Sequence, residues 1–534
     1  MKRIRQKFLS GLVVTSMVAV LAILAGAALA ATPKDVLVLG HVSDIKTLDP
    51  AKAYDSRSYK MIYGIYETLV GDKRTIDGEG NVTYTGEFYP LLAENWEKSA
   101  DGMTWTFKLK KGIKFHDDTI FNAKAVKYSL ERAMIMKGGP EWYLTQCLEP
   151  EKSIEVVDDF TVRFHLTKPL AAFLPVLSET VSAIVSPTAV EAHGGVEPGK
   201  VNEWMANHAV GTGPFKLNKR TPSESVILEA NEEYWGHKPK IKTLIFRVIK
   251  EASNLVMLLK SGEIDMVMRG LTYKNYADLE KSPGIKLYKR EDWAEVRFSP
   301  CSFKQHPLEN KKVRQALNYA VDKKKLVEKI CYGYASVLNS PVPPGMWSHD
   351  DSLWPYNSNP EKAKLLLKDA GFPEGFAIEM GYPEADAERR EVALIVQANL
   401  QDIGVKVKLS GYSWPTYLDK YWSGALPLLM AKWAPLPDPD FLLTSQFHTK
   451  NQGKGGNVCF YSNPKVDELL DEAKVEVDQS KRKQIYVEIQ KLILEDAPWV
   501  FLYSPMRLIA MRDNVCGYAM PATETYHWET VFKK

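Results

Sequence analysis

The sequence predicts a mixed α/β protein of about three domains. Three observations predict it. From Gly211 onward, stretches of strand character alternate with stretches of helical character, and such alternation builds layers of sheet and helix. Between Tyr89 and Ala133 a β-hairpin leads straight into a helix. Roughly 500 residues follow an N-terminal leader, which at the usual domain size suggests three units.

The first 30 residues read as a leader. Lys2, Arg3, Arg5 and Lys7 make a basic start, Leu12 to Leu24 is apolar, and Ala28-Leu29-Ala30 is a small-x-small cleavage site. The apolar run is too short and wrongly flanked for a stable membrane span. No cysteine follows it, so we expect an exported chain that starts at Ala31 and carries no lipid, most simply in a Gram-negative periplasm. The leader holds four of the 69 basic residues and none of the 66 acidic ones, so its removal takes the formal charge from +3 to −1. That balance gives no support to nucleic-acid or anionic-membrane binding. Cys147, Cys301, Cys331, Cys459 and Cys516 form no C-x-x-C pair. An oxidising compartment permits one or two disulfides among them, with at least one thiol left over.

The elements follow in chain order. Asp35 to Gly40 is an apolar strand, Thr47 to Asp55 a loop, and Ser58 to Val70 a helix with Ile62, Ile65 and Leu69 on one side. Thr75 to Gly86 is polar and Gly-rich, a surface hairpin. Met103, Trp105, Phe107 and Leu109 alternate with polar residues, a half-buried strand. Asp101-Gly102 makes the turn before it, Trp96 lies on the preceding strand, and Asn122 caps a helix that buries Ala123, Val126 and Leu130. Strands are expected near Ile154–Val157 and Val162–Leu166. The helix Ala252 to Lys260 ends at Gly262, and Ile264 to Met268 is a strand. Val313, Ala316, Leu317 and Ala320 share a helix face, and Asp322 caps the next helix. Asn359-Pro360 opens a helix that stops at Gly371. Glu391–Asp402, Tyr417–Gly424, Pro464–Ala473 and Ser480–Leu494 are further helices, and Val405–Leu409 and Trp499–Tyr503 further strands.

Equipment for hydrolysis is not apparent. There is no G-x-S-x-G, H-E-x-x-H or C-x-x-C, and the ten histidines are scattered. His116, beside Asp117 and Asp118, reads as part of a surface turn, since no nucleophile stands near it. Gly194 to Val201 (GGVEPGKV) falls short of a P-loop, with Val201 where Ser or Thr must hold Mg²⁺. Lys110-Lys111 and Lys323 to Lys325 read as solvated faces. An exported hydrolase is the reading from another class that these absences weigh against.

The wording of several segments carries more. The run from Leu92 to Ser129, with LAENWEKSADGMTWTFKLKKGIKF in it, resembles the signature of the family 5 extracellular solute-binding proteins, receptors of peptide- and nickel-type ABC importers. TLDPA, VGTGPF, NEEYW, LLKSGEIDMV and VRQALNYAVD follow in the same order as in that family. Asp118 departs where the family has Gly. The resemblance implies a two-lobed periplasmic-binding-protein fold of type II in its three-domain variant. Lobe I would comprise 31–75, 200–298 and 499–534, lobe II 76–199, and lobe III 299–498. It also implies a monomer that captures a small ligand, a short peptide first, and delivers it to ABC permease subunits at the inner membrane, with no cofactor and no nucleic acid. An oligosaccharide, an opine-like compound or a nickel chelate is the alternative ligand.

The chain has 13 Trp, 25 Tyr and 19 Phe, and aromatic walls with a few polar groups suit a ligand cleft. By the same resemblance, Trp414 and Trp433 wall the ligand, with Asp438 in the Asp-Pro that follows. Tyr54 and Asp55, Met268 and Arg269, and Glu388 with Arg389 stand at further cleft positions, where an arginine would take a ligand carboxylate. Peptide receptors of this kind hold the α-amino group with an aspartate three residues past the second tryptophan. Here that residue is Leu436. Asp438, Asp55 or Glu388 would have to replace it; otherwise the ligand lacks a free amino terminus.

Overall fold

The computed structural model describes residues 31–76, 82–291, 296–433, 438–519 and 526–534. The leader expected over 1–30 and the site position Leu436 lie outside the described residues. Three bodies, each built on its own sheets, make up the rest. The first sheet has seven strands drawn from three distant stretches. In spatial order they are Ile285–Arg290, Arg507–Arg512, Met266–Arg269, Val36–His41, Thr243–Val248, Ser225–Ala230 and Phe215–Thr221. Val36–His41 is central and parallel to both neighbours. It is buried along its whole length, which is why it reads as an unbroken apolar run. The parallel strands end at His41, Val248 and Arg269 on one edge, the edge where open α/β sheets bind ligands.

The second body carries the antiparallel sheet Ala93–Lys98, Thr104–Leu109, Thr161–His165 and Ile154–Asp158. Trp105, Phe107 and Leu109 are buried and Lys108 is exposed, as the period of two requires. Gly102 turns at φ +70°, Trp96 sits opposite Phe107, and Asn122 accepts a hydrogen bond from the Ala125 amide at 3.1 Å to cap Ala123–Met136. Asp118, the departure from the family's glycine, holds φ +66°.

The third body has two sheets. One orders Ala335–Val337, Trp499–Pro505, Val296–Pro300 and Ala431–Trp433; the other orders Val405–Tyr412, Phe376–Pro383 and Leu428–Leu429. The strands Val296–Pro300 and Trp499–Pro505 thus both belong here, so this body reaches a few residues beyond the expected 299–498 at each end. Asp322 and Asn359 cap their helices through the Lys325 and Lys362 amides, each at 3.0 Å.

Some expectations are corrected. The helix expected over Ser58–Val70 runs Ser56–Ile65, because Asp55 caps it and the chain leaves extended at Tyr66. Lys323 is not a solvated face: its ammonium is buried, donates to the Leu338 carbonyl at 2.7 Å and lies over the Trp354 ring. Lys110 lies over the Trp235 ring. All five cysteines are free thiols.

Buried ion pairs tie the pieces together. Arg132 of the second body grips Asp49 of the first with two bonds of 2.9 and 2.5 Å. Asp265, beside the central strand, accepts from the Val38 amide, the Thr32 hydroxyl and the Lys533 ammonium at 2.8, 2.6 and 3.0 Å.

Candidate functional site

The expected site residues come from four stretches, and the fold brings most of the described ones together in two groups. The first lies at the carboxyl edge of the seven-stranded sheet. Met268 and Arg269 are consecutive in a strand and point to opposite faces. Met268 is packed in the core and Arg269 is exposed. Arg269 donates to the Ser56 hydroxyl at 3.3 Å, which sets it against the loop holding Tyr54 and Asp55. Tyr54 is 56% exposed. Asp55 faces inward and accepts from the Arg57 guanidinium at 2.9 Å and the Ser58 hydroxyl at 2.8 Å. Burial alone would raise its carboxyl, but these bonds outweigh it and hold it below its ordinary value. Behind them His41 is buried, accepting from the Ser43 amide at 3.1 Å. Burial, with Lys60, Arg57 and Arg269 nearby, lowers its imidazole to about 3, so it is neutral.

The second group lies in the third body. Trp414 opens the helix Trp414–Ser423, stacks on Tyr417 at 5.6 Å and is 53% exposed. It walls a cavity of about 390 Å³ with Pro383, Ala385, Asp386 and Ala387. Arg389 lies beneath, only 5% exposed, paired with Asp386 at 3.1 Å and set over the Trp414 and Tyr417 rings. Its neighbour Glu388 accepts from Arg297 at 3.1 Å and from the Tyr503 hydroxyl at 2.6 Å. Trp433 ends a strand opposite Val296 and is half-buried against the third body's core.

Asp438 is buried within the third body. It caps the helix Pro439–Phe447 and is 3% exposed. Both its oxygens bond Arg482, at 2.6 and 2.7 Å. Burial would lower the Arg482 guanidinium, but the Asp438 charge raises it instead. The three carboxylates considered for an ammonium, Asp438, Asp55 and Glu388, each already hold an arginine.

Sequence reasoning missed two further features. Glu67, fully buried where the chain leaves the first body, accepts from Thr212, Tyr234 and Trp235 at 2.7, 2.7 and 2.9 Å. Burial raises its carboxyl to about 7 against those three bonds. The sequence signal was a lone acid, Glu67, just after the helix and next to the apolar pair Leu69-Val70. The pair Trp142-Tyr143 meets Phe441 of the third body edge-on; two adjacent aromatics after Gly-Gly-Pro were the available hint.

His116 accepts from the Gly211 amide at its Nδ1 and meets the Gly213 carbonyl at 2.9 Å, so its Nε2 carries the proton. Burial lowers it to about 4, and it joins two loops. Among the described residues no group of three His, Cys, Asp or Glu gathers to hold a metal, and no helix is long and apolar enough to cross a membrane.

Comparison with known proteins agrees with the architecture. The family model described as "Bacterial extracellular solute-binding proteins, family 5 Middle" matches residues 87–454. The probable D,D-dipeptide-binding periplasmic protein DdpA of Escherichia coli (strain K12) is 30% identical over 502 residues, 92% of each chain. The dipeptide-binding protein of the same organism is 31% identical over 500 residues, 90% of each chain. Among solved structures, Helicobacter pylori DppA in complex with the peptide STSA superposes with a TM-score of 0.73 at 30% identity, covering 93% of this chain and 98% of that one. HbpA2 from Haemophilus parasuis gives a TM-score of 0.81 at 28% identity over 93% and 100% of the chains.

Proposed function

Because the chain belongs to the family 5 bacterial extracellular solute-binding proteins, we propose that it captures short peptides for an ABC importer. In this reading it works in the periplasm as a monomer beginning at Ala31, without lipid, and presents the loaded form to a membrane permease. The first and third bodies, with the second inserted in the first, act as lobes around the ligand. The observation that carries the peptide reading is the likeness, over 93% of the chain, to a structure holding the peptide STSA.

The charge arrangement supports a narrower form of it. A ligand ammonium in a dry site needs a carboxylate, since stripping it of water alone costs several kcal/mol. Asp438 is occupied by Arg482, Asp55 by Arg57 and Glu388 by Arg297, and position 436 is leucine. We therefore favour peptides whose amino terminus is blocked or left in solvent. Trp414, half-exposed beside a cavity, would serve as a wall, with Trp433 beside it and Arg269 on the opposite side.

The test is a thermal-shift panel of short peptides in free and N-acetylated pairs. A binder at about 100 times its Kd should add about 2.7 kcal/mol of stability. Acetylated peptides binding as well as free ones supports the narrower form. Binding lost on acetylation returns the ammonium to the site, and silence from every peptide sinks the peptide reading.

A further inference from the structure

Four aromatic rings meet where the three bodies come together. Tyr54 comes from the loop before Ser56–Ile65, Trp142 and Tyr143 from the short helix Trp142–Thr145, and Phe441 from Pro439–Phe447. Tyr143 is the hub. Its ring centre lies 3.9 Å from that of Trp142, 6.2 Å from Tyr54 and 6.2 Å, edge-on, from Phe441. Trp142 meets Phe441 edge-on at 6.1 Å. Phe441 packs against the core of the second body although its helix belongs to the third.

Internal packing does not use up two of these rings. Tyr143 is 6% exposed, whereas Trp142 keeps 39% and Tyr54 56% of its surface in solvent. Open aromatic faces gain by covering, and they do so best with another flat ring about 4.5–7 Å away. Acids in the same segments are already engaged: Asp55 accepts from Arg57, and Glu141 accepts from the Gly139 amide at 2.6 Å. A charged group entering here would gain little, and an uncharged flat one would gain contact area.

We propose that Tyr54 and Trp142 form a subsite for an aromatic side chain of the bound peptide, closed by Phe441 from the third body. The proposal rests on the peptide reading above and adds a side-chain preference to it. Because the closing ring belongs to a different body from the other two, the subsite is complete only when the bodies are together. The identity of that side chain is thereby linked to closure.

The experiment uses the full mature chain and calorimetric titration with Ala-Ala-Ala, Phe-Ala-Ala, Ala-Phe-Ala and Ala-Ala-Phe, each free and N-acetylated. Wild type should favour at least one Phe peptide over the matching alanine peptide by about tenfold. Trp142→Ala and Tyr54→Ala should each reduce that ratio toward one, and Trp142→Phe should keep most of it. Melting curves of the unliganded variants report their folding, and Tyr54, half in solvent, is the substitution the fold tolerates best. An unchanged ratio in Trp142→Ala and Tyr54→Ala overturns the subsite and leaves the peptide reading standing, as does a wild type that binds without preference. A wild type that binds none of the eight peptides overturns both.

Discussion

At the scale of single residues, Glu67 and the histidines pull stability in opposite directions as pH changes. Burial raises the Glu67 carboxyl from 4.5 to about 7. Folding therefore takes up a proton between those values, and this contribution is complete below 4.5 and lost as pH rises through 7. His41 and His116 are lowered to about 3 and about 4. Their contribution is present above 6.5 and lost as pH falls toward those values. Glu67→Gln removes the first effect and leaves the second. Measured by urea unfolding, the variant should gain on wild type as pH goes from 5 to 8, by up to about 3 kcal/mol. A constant difference across that range would mean that Glu67 titrates normally in the fold.

At the scale of elements, the pair Asp438–Arg482 fastens the start of Pro439–Phe447 to Gln479–Asp496. Asp438→Asn strands a buried guanidinium and should cost about 3–5 kcal/mol. If instead peptide affinity falls while stability holds, Asp438 is a ligand residue and its place here has been misread. A smaller effect is expected at the turn after Phe115. Asp118 pays for φ +66° without a glycine's freedom, so Asp118→Gly should stabilise by about 0.5–1 kcal/mol in the same assay. A loss would show that the aspartate side chain holds the turn. This element and its neighbours were legible in the sequence for a local reason. Trp105, Phe107 and Leu109 alternate, Gly102 takes the turn, and Asn122 caps the helix, all within a few residues of one another. Arg482 as the partner of Asp438 and Phe441 as the neighbour of Tyr143 were not legible, because each contact joins segments far apart and no local pattern announces it. Lys323 was misread for the same reason: a run of three lysines looks solvated until Leu338 and Trp354 fold over the first.

At the scale of the whole molecule, the resemblance rather than periodicity pointed to separate lobes, because alternating strands and helices fix layers but not how many bodies they form. A ligand held between lobes should draw them together, so the radius of gyration measured by X-ray scattering should fall on saturation with a bound peptide. Identical curves with and without that peptide would count against closure.

The carboxylate of Asp265 has a consequence for how distant parts of the chain are fastened. It meets Thr32, near the start of the described chain, and Lys533, the next-to-last residue. Without that lysine the buried carboxylate keeps the Val38 amide and the Thr32 hydroxyl but loses its cation. The carboxylate thus works as a clasp on two segments 501 residues apart in sequence, and freeing either one loosens the centre of the sheet. A chain ending at residue 532 should accordingly unfold at lower urea, by an amount typical of a broken buried pair, about 3–5 kcal/mol.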